Sequence, residues 1–102
     1  MPRRACERAG RAQLTVGRHV LVIEQSPEMT TGEHDRHCPS LNHLAFRPGG
    51  RSRVDVLATR VPDNGWTLMF SDRHPHAGGP NHHAAYLTNT GGYEVELVAP
   101  NP

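Results

Sequence analysis

The chain has 102 residues, 35% of them hydrophobic, and a formal charge of +1 when its eight histidines are neutral. That length allows one domain at most, and the apolar share lies below the roughly 45–50% of an ordinary globular domain. Long solvated loops or an incomplete domain are therefore expected. The near-zero charge argues against nucleic acid or an anionic membrane as a partner, and no apolar run approaches the roughly 20 residues of a membrane span.

The N-terminal part of the chain carries weak structural signals. Residues 1–12 are basic and lack an apolar stripe, which predicts a poorly ordered arm or a short helix. Alternation of apolar and polar residues over 13–25 predicts two short strands around Gly17. Residues 26–40 carry mixed charge and a proline near each end, so they are predicted to form a loop.

The two cysteines give information about the cellular compartment and do not indicate a metal-binding site. Cys6 and Cys38 lack the C-x-x-C spacing of a metal site, and two cysteines are too few for a secreted disulfide scaffold. The N-terminus also lacks the apolar segment of a secretory signal. These observations favour reduced thiols in a cytoplasmic protein.

The order of elements is clearer from residue 41 onward. Residues 51–61 have the apolar stripe of an amphipathic helix, and Ser52 with Asp55 has the spacing of a capping box at its start. Strands are predicted at 41–46, 66–70, 82–88 and 92–100. The resulting β-α-β-β-β order predicts an α+β fold, with one helix packed on a face of the sheet.

A histidine and two glutamates lie on strands of this predicted sheet. In the strand 92–100, Glu94 and Glu96 share one face, and the opposite, apolar face suits packing against the helix. The glutamates then lie on the same side of the sheet as one face of LNHLAF, the strand that carries His43. Two interpretations follow: a wet sheet face with solvated side chains, or a trough in which His43 and Glu96 converge. In the trough, imidazole plus carboxylate suits Fe(II), Mn(II), Ni(II) or Zn(II).

Three stretches of the second half, NHLAF, PHAGGPNHHAAY and GGYEVELVAP, together resemble one protein family. They are similar to the second module of a vicinal oxygen chelate domain, of the glyoxalase, bleomycin-resistance and extradiol-dioxygenase superfamily. The resemblance is close over 41–100 and looser over 13–27. It implies a single domain over 13–102, in which a truncated first module precedes a complete βαβββ module with a curved mixed sheet.

The resemblance also implies a set of metal ligands. Family ligands fall on the first and last strands of a module, which correspond to His43 and Glu96. Glu24, at the end of a predicted strand, is the candidate for the remaining ligand of the first module. The cofactor implied by this set is a divalent metal.

Four further residues are candidates for substrate binding. His82 and His83 point to opposite faces of a strand, so at most one can reach the cleft, and the sequence alone does not decide which. His82 and Tyr86 are the strand candidates, with a place in the core as the alternative for the tyrosine. Arg73 and His76 lie in a loop able to fold over the cleft, with simple solvation as the alternative.

The resemblance leaves three hypotheses about function. The first is a metalloenzyme, either a lyase or isomerase of the glyoxalase kind or a ring-cleaving dioxygenase, whose cation chelates neighbouring oxygens of a small substrate. The second is a metal-free module that binds a small molecule such as a drug, and the third is a shortened, inactive copy. Missing strands would leave sheet edges exposed, and the pairing of those edges predicts a homodimer.

Overall fold

The computed structural model describes residues 3–8, 11–24 and 33–100. The chain divides into two compact units, residues 1–32 and 33–102. No helix within the described ranges is long and apolar enough to cross a membrane. The single domain expected over 13–102 stays a prediction.

The described residues of the N-terminal unit form a three-stranded antiparallel sheet in the order β1-β2-β3. Its strands are Arg3–Arg8 (β1), Arg11–Val16 (β2) and His19–Glu24 (β3). The two strands expected around Gly17 are present as β2 and β3. Within the segment 1–12, expected to be a poorly ordered arm or a short helix, residues Arg3–Arg8 form β1, so the described part of the unit has three strands. Backbone pairing with β2 holds β1 whatever its side-chain pattern, which explains why the basic segment gave no strand signal.

The C-terminal unit has the predicted β-α-β-β-β order. Its elements are β4 (Leu44–Phe46), α1 (Arg51–Arg60), a 3₁₀ turn (Val61–Asn64), β5 (Trp66–Met69), β6 (Ala84–Asn89) and β7 (Glu94–Val98). The sheet order is β4-β7-β6-β5, with β4 parallel to β7 and the other neighbours antiparallel. The α+β fold with one helix and a curved mixed sheet is confirmed, and β7 lies inside the sheet between β4 and β6.

Helix α1 packs on one face of this sheet through its apolar stripe. Val54 and Ala85 are fully buried at the centre of a cluster drawn from α1, β6, β7 and the residue that follows β7. The other buried members are Leu57, Ala58, Leu87, Leu97 and Ala99. Burial of each large aliphatic side chain is worth about 1.5–3 kcal/mol relative to exposure. This cluster therefore holds the helix to the sheet and leaves the opposite sheet face free for polar residues.

The strand predicted over 41–46 is shorter than expected, because the preceding loop engages its first residues. The Leu41 carbonyl accepts a hydrogen bond from His34 Nε2, and Asn42 Nδ2 donates to the Arg36 carbonyl. Side-chain bonds of this kind compete with a strand ladder. His43 consequently lies just before β4 instead of within it.

The start of the helix also differs from its prediction. Gly50 is the N-cap, in an extended conformation with φ −78° and ψ −174°, and no side chain caps the helix. The capping box expected from Ser52 and Asp55 is therefore wrong. Asp55 instead contacts His83, at the approach to β6.

Candidate functional site

Two buried carboxylates lie on β7. Glu94 is 5% exposed and Glu96 is 6% exposed. Alternation along the strand turns both toward the sheet face opposite the helix, while Leu97 joins the core. Buried carboxylates are costly unless charged or polar groups compensate them. The groups around these two glutamates therefore define the candidate site.

His43, just before the neighbouring strand β4, contacts Glu96. The parallel register places Ala45 beside Glu96, and His43 lies two residues earlier in the chain. His43 Nε2 is 3.1 Å from Glu96 Oε1, across 53 positions of sequence. The structure thus brings together the imidazole and the carboxylate that the sequence analysis expects to converge.

His82 contacts the same carboxylate from the β6 side. Its Nε2 lies 2.5 Å from Glu96 Oε2, so each oxygen of Glu96 contacts one imidazole nitrogen. His83 turns the opposite way, and its Nε2 lies 2.8 Å from Asp55 Oδ1 on α1. Of the two adjacent histidines, His82 is therefore the one that faces the candidate site.

Tyr86 adds a phenol to this cluster. It pairs with Glu96 across the antiparallel ladder, and its ring lies edge-on to that of His43 with 6.2 Å between the centroids. Burial raises the pKa of the Tyr86 phenol, and the negative charge of Glu96 raises it further. The hydroxyl therefore keeps its proton at neutral pH and is available as a hydrogen-bond donor. Tyr86 belongs to the polar face of the sheet, not to the core beneath the helix.

Arg73 lies beside this cluster, with one aromatic ring between them. Its guanidinium carbon is 4.9 Å from the centre of the Phe70 ring, a cation–π arrangement. The Phe70 ring packs edge-on to Tyr86 at 5.8 Å. The structure thus places Arg73 near the cluster without a direct contact to Glu96.

His76 is held by the segment that leads into β6. Its Nδ1 donates to the His82 carbonyl at 3.3 Å, and its ring packs edge-on against His83 at 5.7 Å. These contacts tie His76 to the backbone and to the histidine on the helix side. The structure therefore does not bring its imidazole to the Glu96 carboxylate.

The second buried carboxylate has a partner that the sequence analysis missed. Arg36 Nη1 lies 3.1 Å from Glu94 Oε1, near enough for an ion pair but not aligned as a hydrogen bond, since that oxygen has no hydrogen-bond partner. Glu94 Oε2 is 3.8 Å from His43 Nδ1. No sequence signal marks Arg36, because the loop 33–41 that carries it has no periodic pattern.

The predicted metal ligands are partly brought together. The separation of His43 Nε2 and Glu96 Oε1 suits one shared cation with ligand distances of roughly 2.0–2.2 Å. Glu24 is exposed at the end of β3, in the N-terminal unit, and its role as a ligand stays a prediction. Within residues 3–8, 11–24 and 33–100, no three histidine, cysteine or acidic side chains are arranged to hold a metal ion together.

A cavity of about 320 Å³ opens on the same face of the sheet as Glu94. The strands contribute Met69 and Thr88 to its wall, and Thr88 pairs with Glu94 across the ladder. The remaining lining residues are Glu33, His34, Asp35, Arg36, His37 and Gly92. The wall includes Arg36, the ion-pair partner of Glu94, and does not include Glu96.

Comparison with known sequences identifies relatives of this chain. A family model described as the glyoxalase/bleomycin resistance protein/dioxygenase superfamily matches residues 3–86. A Bacillus subtilis (strain 168) protein described as uncharacterized protein YqjT is 38% identical over 85 residues. The aligned region is 82% of this chain and 66% of YqjT, so the chain spans about two thirds of that relative's length.

Two solved structures resemble this one. A candidate glyoxalase from Bacillus halodurans has a TM-score of 0.86 and 32% identity, over 98% of this chain and 76% of that chain. Hypothetical protein SA1046 from S. aureus has a TM-score of 0.70 over 97% of this chain and 76% of its own, and at 9% identity it shows the fold alone. With the family match over most of its length, the chain belongs to the glyoxalase/bleomycin resistance protein/dioxygenase superfamily, and this membership supports a general role in binding small molecules.

Proposed function

We propose that this chain is a glyoxalase/dioxygenase-like metalloprotein whose divalent cation chelates vicinal oxygens of a small substrate. His43 and Glu96 would hold the cation, and the 3.1 Å between Nε2 and Oε1 is the observation that supports this most directly. One imidazole nitrogen with one carboxylate oxygen suits Fe(II), Mn(II), Ni(II) or Zn(II). The family match covers His43 and ends before Glu96, so the carboxylate is supported by its contact with His43 and by the resemblance of the last strand.

The third ligand would come from His82 or from Glu24. His43, His82 and Glu96 are the residue types of the two-histidine, one-carboxylate triad of iron oxygenases. The two imidazoles contact different oxygens of Glu96, however, so the present arrangement favours the His43–Glu96 pair with His82 orienting the carboxylate. The proposed metal site is compatible with either reaction class, a lyase or isomerase or a ring-cleaving dioxygenase.

The neighbouring side chains would act on the substrate. When bound, the cation supplies Lewis-acid stabilisation of negative charge on a substrate oxygen. Tyr86, which keeps its proton, would donate a hydrogen bond to the substrate from β6. Arg73, beside Phe70, would attract an anionic group at the approach to the site, and His76 would help to shape the same loop.

Metal analysis of protein purified without chelator tests the proposal. We expect the wild type to retain a divalent ion in stoichiometric amount, and His43→Ala and Glu96→Gln to lose it. His19→Ala, which removes an exposed histidine of the N-terminal unit, is the matched control and should retain the ion. Equal metal content in all four proteins would contradict the proposal.

A second candidate function is metal-free binding of a small molecule, as in a drug-binding module of the bleomycin-resistance type. The cavity of about 320 Å³ favours it, as does the lack of a three-ligand arrangement among the described residues. Calorimetric titration in excess EDTA, with drug-like compounds small enough for this cavity and unable to chelate metals themselves, provides the test. Undiminished binding supports this candidate, binding that EDTA abolishes supports the metalloprotein, and a chain that binds neither metal nor drug fits an inactive copy.

We also propose a homodimer. Strand β3 is an outer strand of the described N-terminal sheet, and its Val20, Val22 and Ile23 are 54%, 44% and 54% exposed. Strand edges that carry apolar residues tend to pair with other strands. Light scattering at micromolar concentration should show a dimer that Val22→Lys dissociates and that the control Val56→Lys, on an exposed part of α1, leaves intact. A monomeric wild type would contradict the proposed homodimer.

The cytoplasmic location expected from the sequence stays a prediction.

A further inference from the structure

Each nitrogen of the His43 imidazole lies close to a side-chain oxygen. Its Nε2 faces Glu96 Oε1, and its Nδ1 lies 2.7 Å from Asn42 Oδ1. The Asn42 amide has a second contact, in which Nδ2 donates to the Arg36 carbonyl at 3.2 Å. Asn42 thus bridges the backbone of the preceding loop and the ring of His43.

The chemistry of these contacts determines where the proton of His43 lies. A carbonyl oxygen only accepts, so the side of the Asn42 amide that faces Arg36 must be its NH₂ group. The amide oxygen then faces His43 Nδ1 and also only accepts, so Nδ1 must carry the hydrogen. In a neutral imidazole, Nε2 consequently has its lone pair exposed toward Glu96.

With its lone pair toward Glu96, Nε2 and the carboxylate oxygen are two electron-pair donors that face each other. A cation between them would bind both atoms. Were the proton on Nε2 instead, it would donate to Glu96 Oε1, and the nitrogen would be closed to a metal. Glu94 Oε2, at 3.8 Å from Nδ1, is beyond hydrogen-bond distance and cannot replace Asn42. Hydrogen bonds of this kind behind a ligating histidine fix its tautomer and orientation.

The Arg36 carbonyl is itself held in place by the rest of the loop 33–41. His34 stacks on Tyr93 with 4.5 Å between ring centroids, and its backbone N–H donates to the Gly91 carbonyl at 2.8 Å. The guanidinium of Arg36 is tied to Glu94. The position of Asn42 is therefore set by contacts with the turn before β7 and with β7 itself.

We propose that Asn42 is a positioning residue. Its amide, anchored on the Arg36 carbonyl, keeps the proton of His43 on Nδ1 and leaves Nε2 free to bind a divalent cation beside Glu96. The role of Nε2 as a metal donor rests on the proposed function, whereas the tautomer does not.

Nitrogen-15 NMR of the metal-free protein at about pH 9 tests the tautomer directly, with the His43 signals assigned through His43→Gln. We expect the wild type and Asn42→Asp to carry the proton on Nδ1, because an oxygen still accepts from it. In Asn42→Ala, Glu96 should draw the proton to Nε2. A wild-type His43 protonated on Nε2 or on both nitrogens, or an unchanged tautomer in Asn42→Ala, would overturn the inference.

Competition between the protein and a chelating dye for Co(II) tests the consequence. Asn42→Ala should weaken Co(II) binding about 10- to 100-fold, as expected for loss of an outer-shell partner. Asn42→Asp, which keeps an acceptor for Nδ1 but loses the N–H that donates to the Arg36 carbonyl, should weaken it less. The urea midpoint should be similar in the three proteins, because Asn42 is exposed. Equal affinities would refute the metal role, and a wild type that binds no Co(II) would refute the proposed function while the NMR result still decides the tautomer.

Discussion

His83 Nε2 lies 2.8 Å from Asp55 Oδ1, so the histidine next to His82 ties the approach to β6 to helix α1. The side chain of His83 is 10% exposed and that of Asp55 is 52% exposed. Two adjacent histidines thus have opposite roles. His82 faces the carboxylate of the candidate site, and His83 joins helix and sheet.

Asp55→Ala should lower the free energy of unfolding by about 1 kcal/mol, because the buried imidazole loses its hydrogen-bond partner. Urea denaturation followed by circular dichroism measures this loss. Asp72→Ala, in the exposed connection between β5 and β6, is the control and should stay within about 0.5 kcal/mol of wild type. Metal affinity should not change in either variant, and a loss of metal in Asp55→Ala would show that the two sheet faces are coupled.

Gly78→Ala should disturb the cluster around Glu96. A Cβ atom at this position would be 2.6 Å from His82 Cδ2 and 2.7 Å from the Tyr86 hydroxyl, so both side chains must move. We expect a loss of about 1–3 kcal/mol in the free energy of unfolding, together with changed His82 ring signals in the NMR spectrum. Gly50→Ala, where a Cβ meets no atom within 4 Å, should cost less and leave those signals in place. Unchanged His82 signals in Gly78→Ala would contradict the packing.

Tyr86 should ionise only at strongly alkaline pH. Its raised pKa means that the folded protein holds the phenolic proton more tightly than the unfolded chain does, so this contribution to stability is complete below about pH 10 and is lost as the pH rises through the folded pKa. The difference in absorbance at tyrosinate wavelengths between wild type and Tyr86→Phe isolates the group. Glu96→Gln should lower the pKa part of the way toward its ordinary value, because burial remains. A pKa unaffected by Glu96→Gln would exclude the carboxylate as a cause.

Gly92→Ala should displace the loop 33–41. Gly92 has φ +84°, and an added Cβ would collide with the His34 carbonyl oxygen. Gly65 has nearly the same φ, +85°, with no atom within 4 Å of its added Cβ. Gly65→Ala therefore measures the backbone strain alone, about 1–2 kcal/mol, and any additional loss in Gly92→Ala measures the collision. Equal losses of unfolding free energy in Gly92→Ala and Gly65→Ala, measured by urea denaturation, would show that the added Cβ of Gly92→Ala does not collide with the loop.

The sequence predicted those features that repeat along the chain. Alternation of apolar and acidic residues around Glu96 predicted which face of β7 meets the helix, and the stripe around Val54 predicted α1 within one residue. Both follow from the burial of one face of an amphipathic element. The placement of His43 beside Glu96 followed from the same alternation, joined to a family resemblance.

Features that depend on single contacts between distant segments could not be predicted. Arg36 and Asn42 join the site through a loop whose shape is set by the stacking of His34 on Tyr93, and no periodic pattern encodes such a stack. Tyr93, which the alternation along the strand places on its apolar face, stacks on His34 and is 46% exposed. In the same way, His82 and not His83 faces the candidate site because His83 contacts Asp55 on the helix. The local pattern had assigned Asp55 to a helix cap instead.

The interior position of β7 has a practical consequence. Any ion or molecule bound by both His43 and Glu96 links residues 53 positions apart, one just before the edge strand β4 and the other on its neighbour β7. Only the folded chain holds these two side chains together, so a ligand that binds both stabilises the folded state and raises the melting temperature of the unit. The increase grows as the ligand concentration exceeds the dissociation constant. Thermal-shift screening of metals and small oxygenated compounds is thus a direct route to the physiological ligand, and it requires no assumption about the reaction.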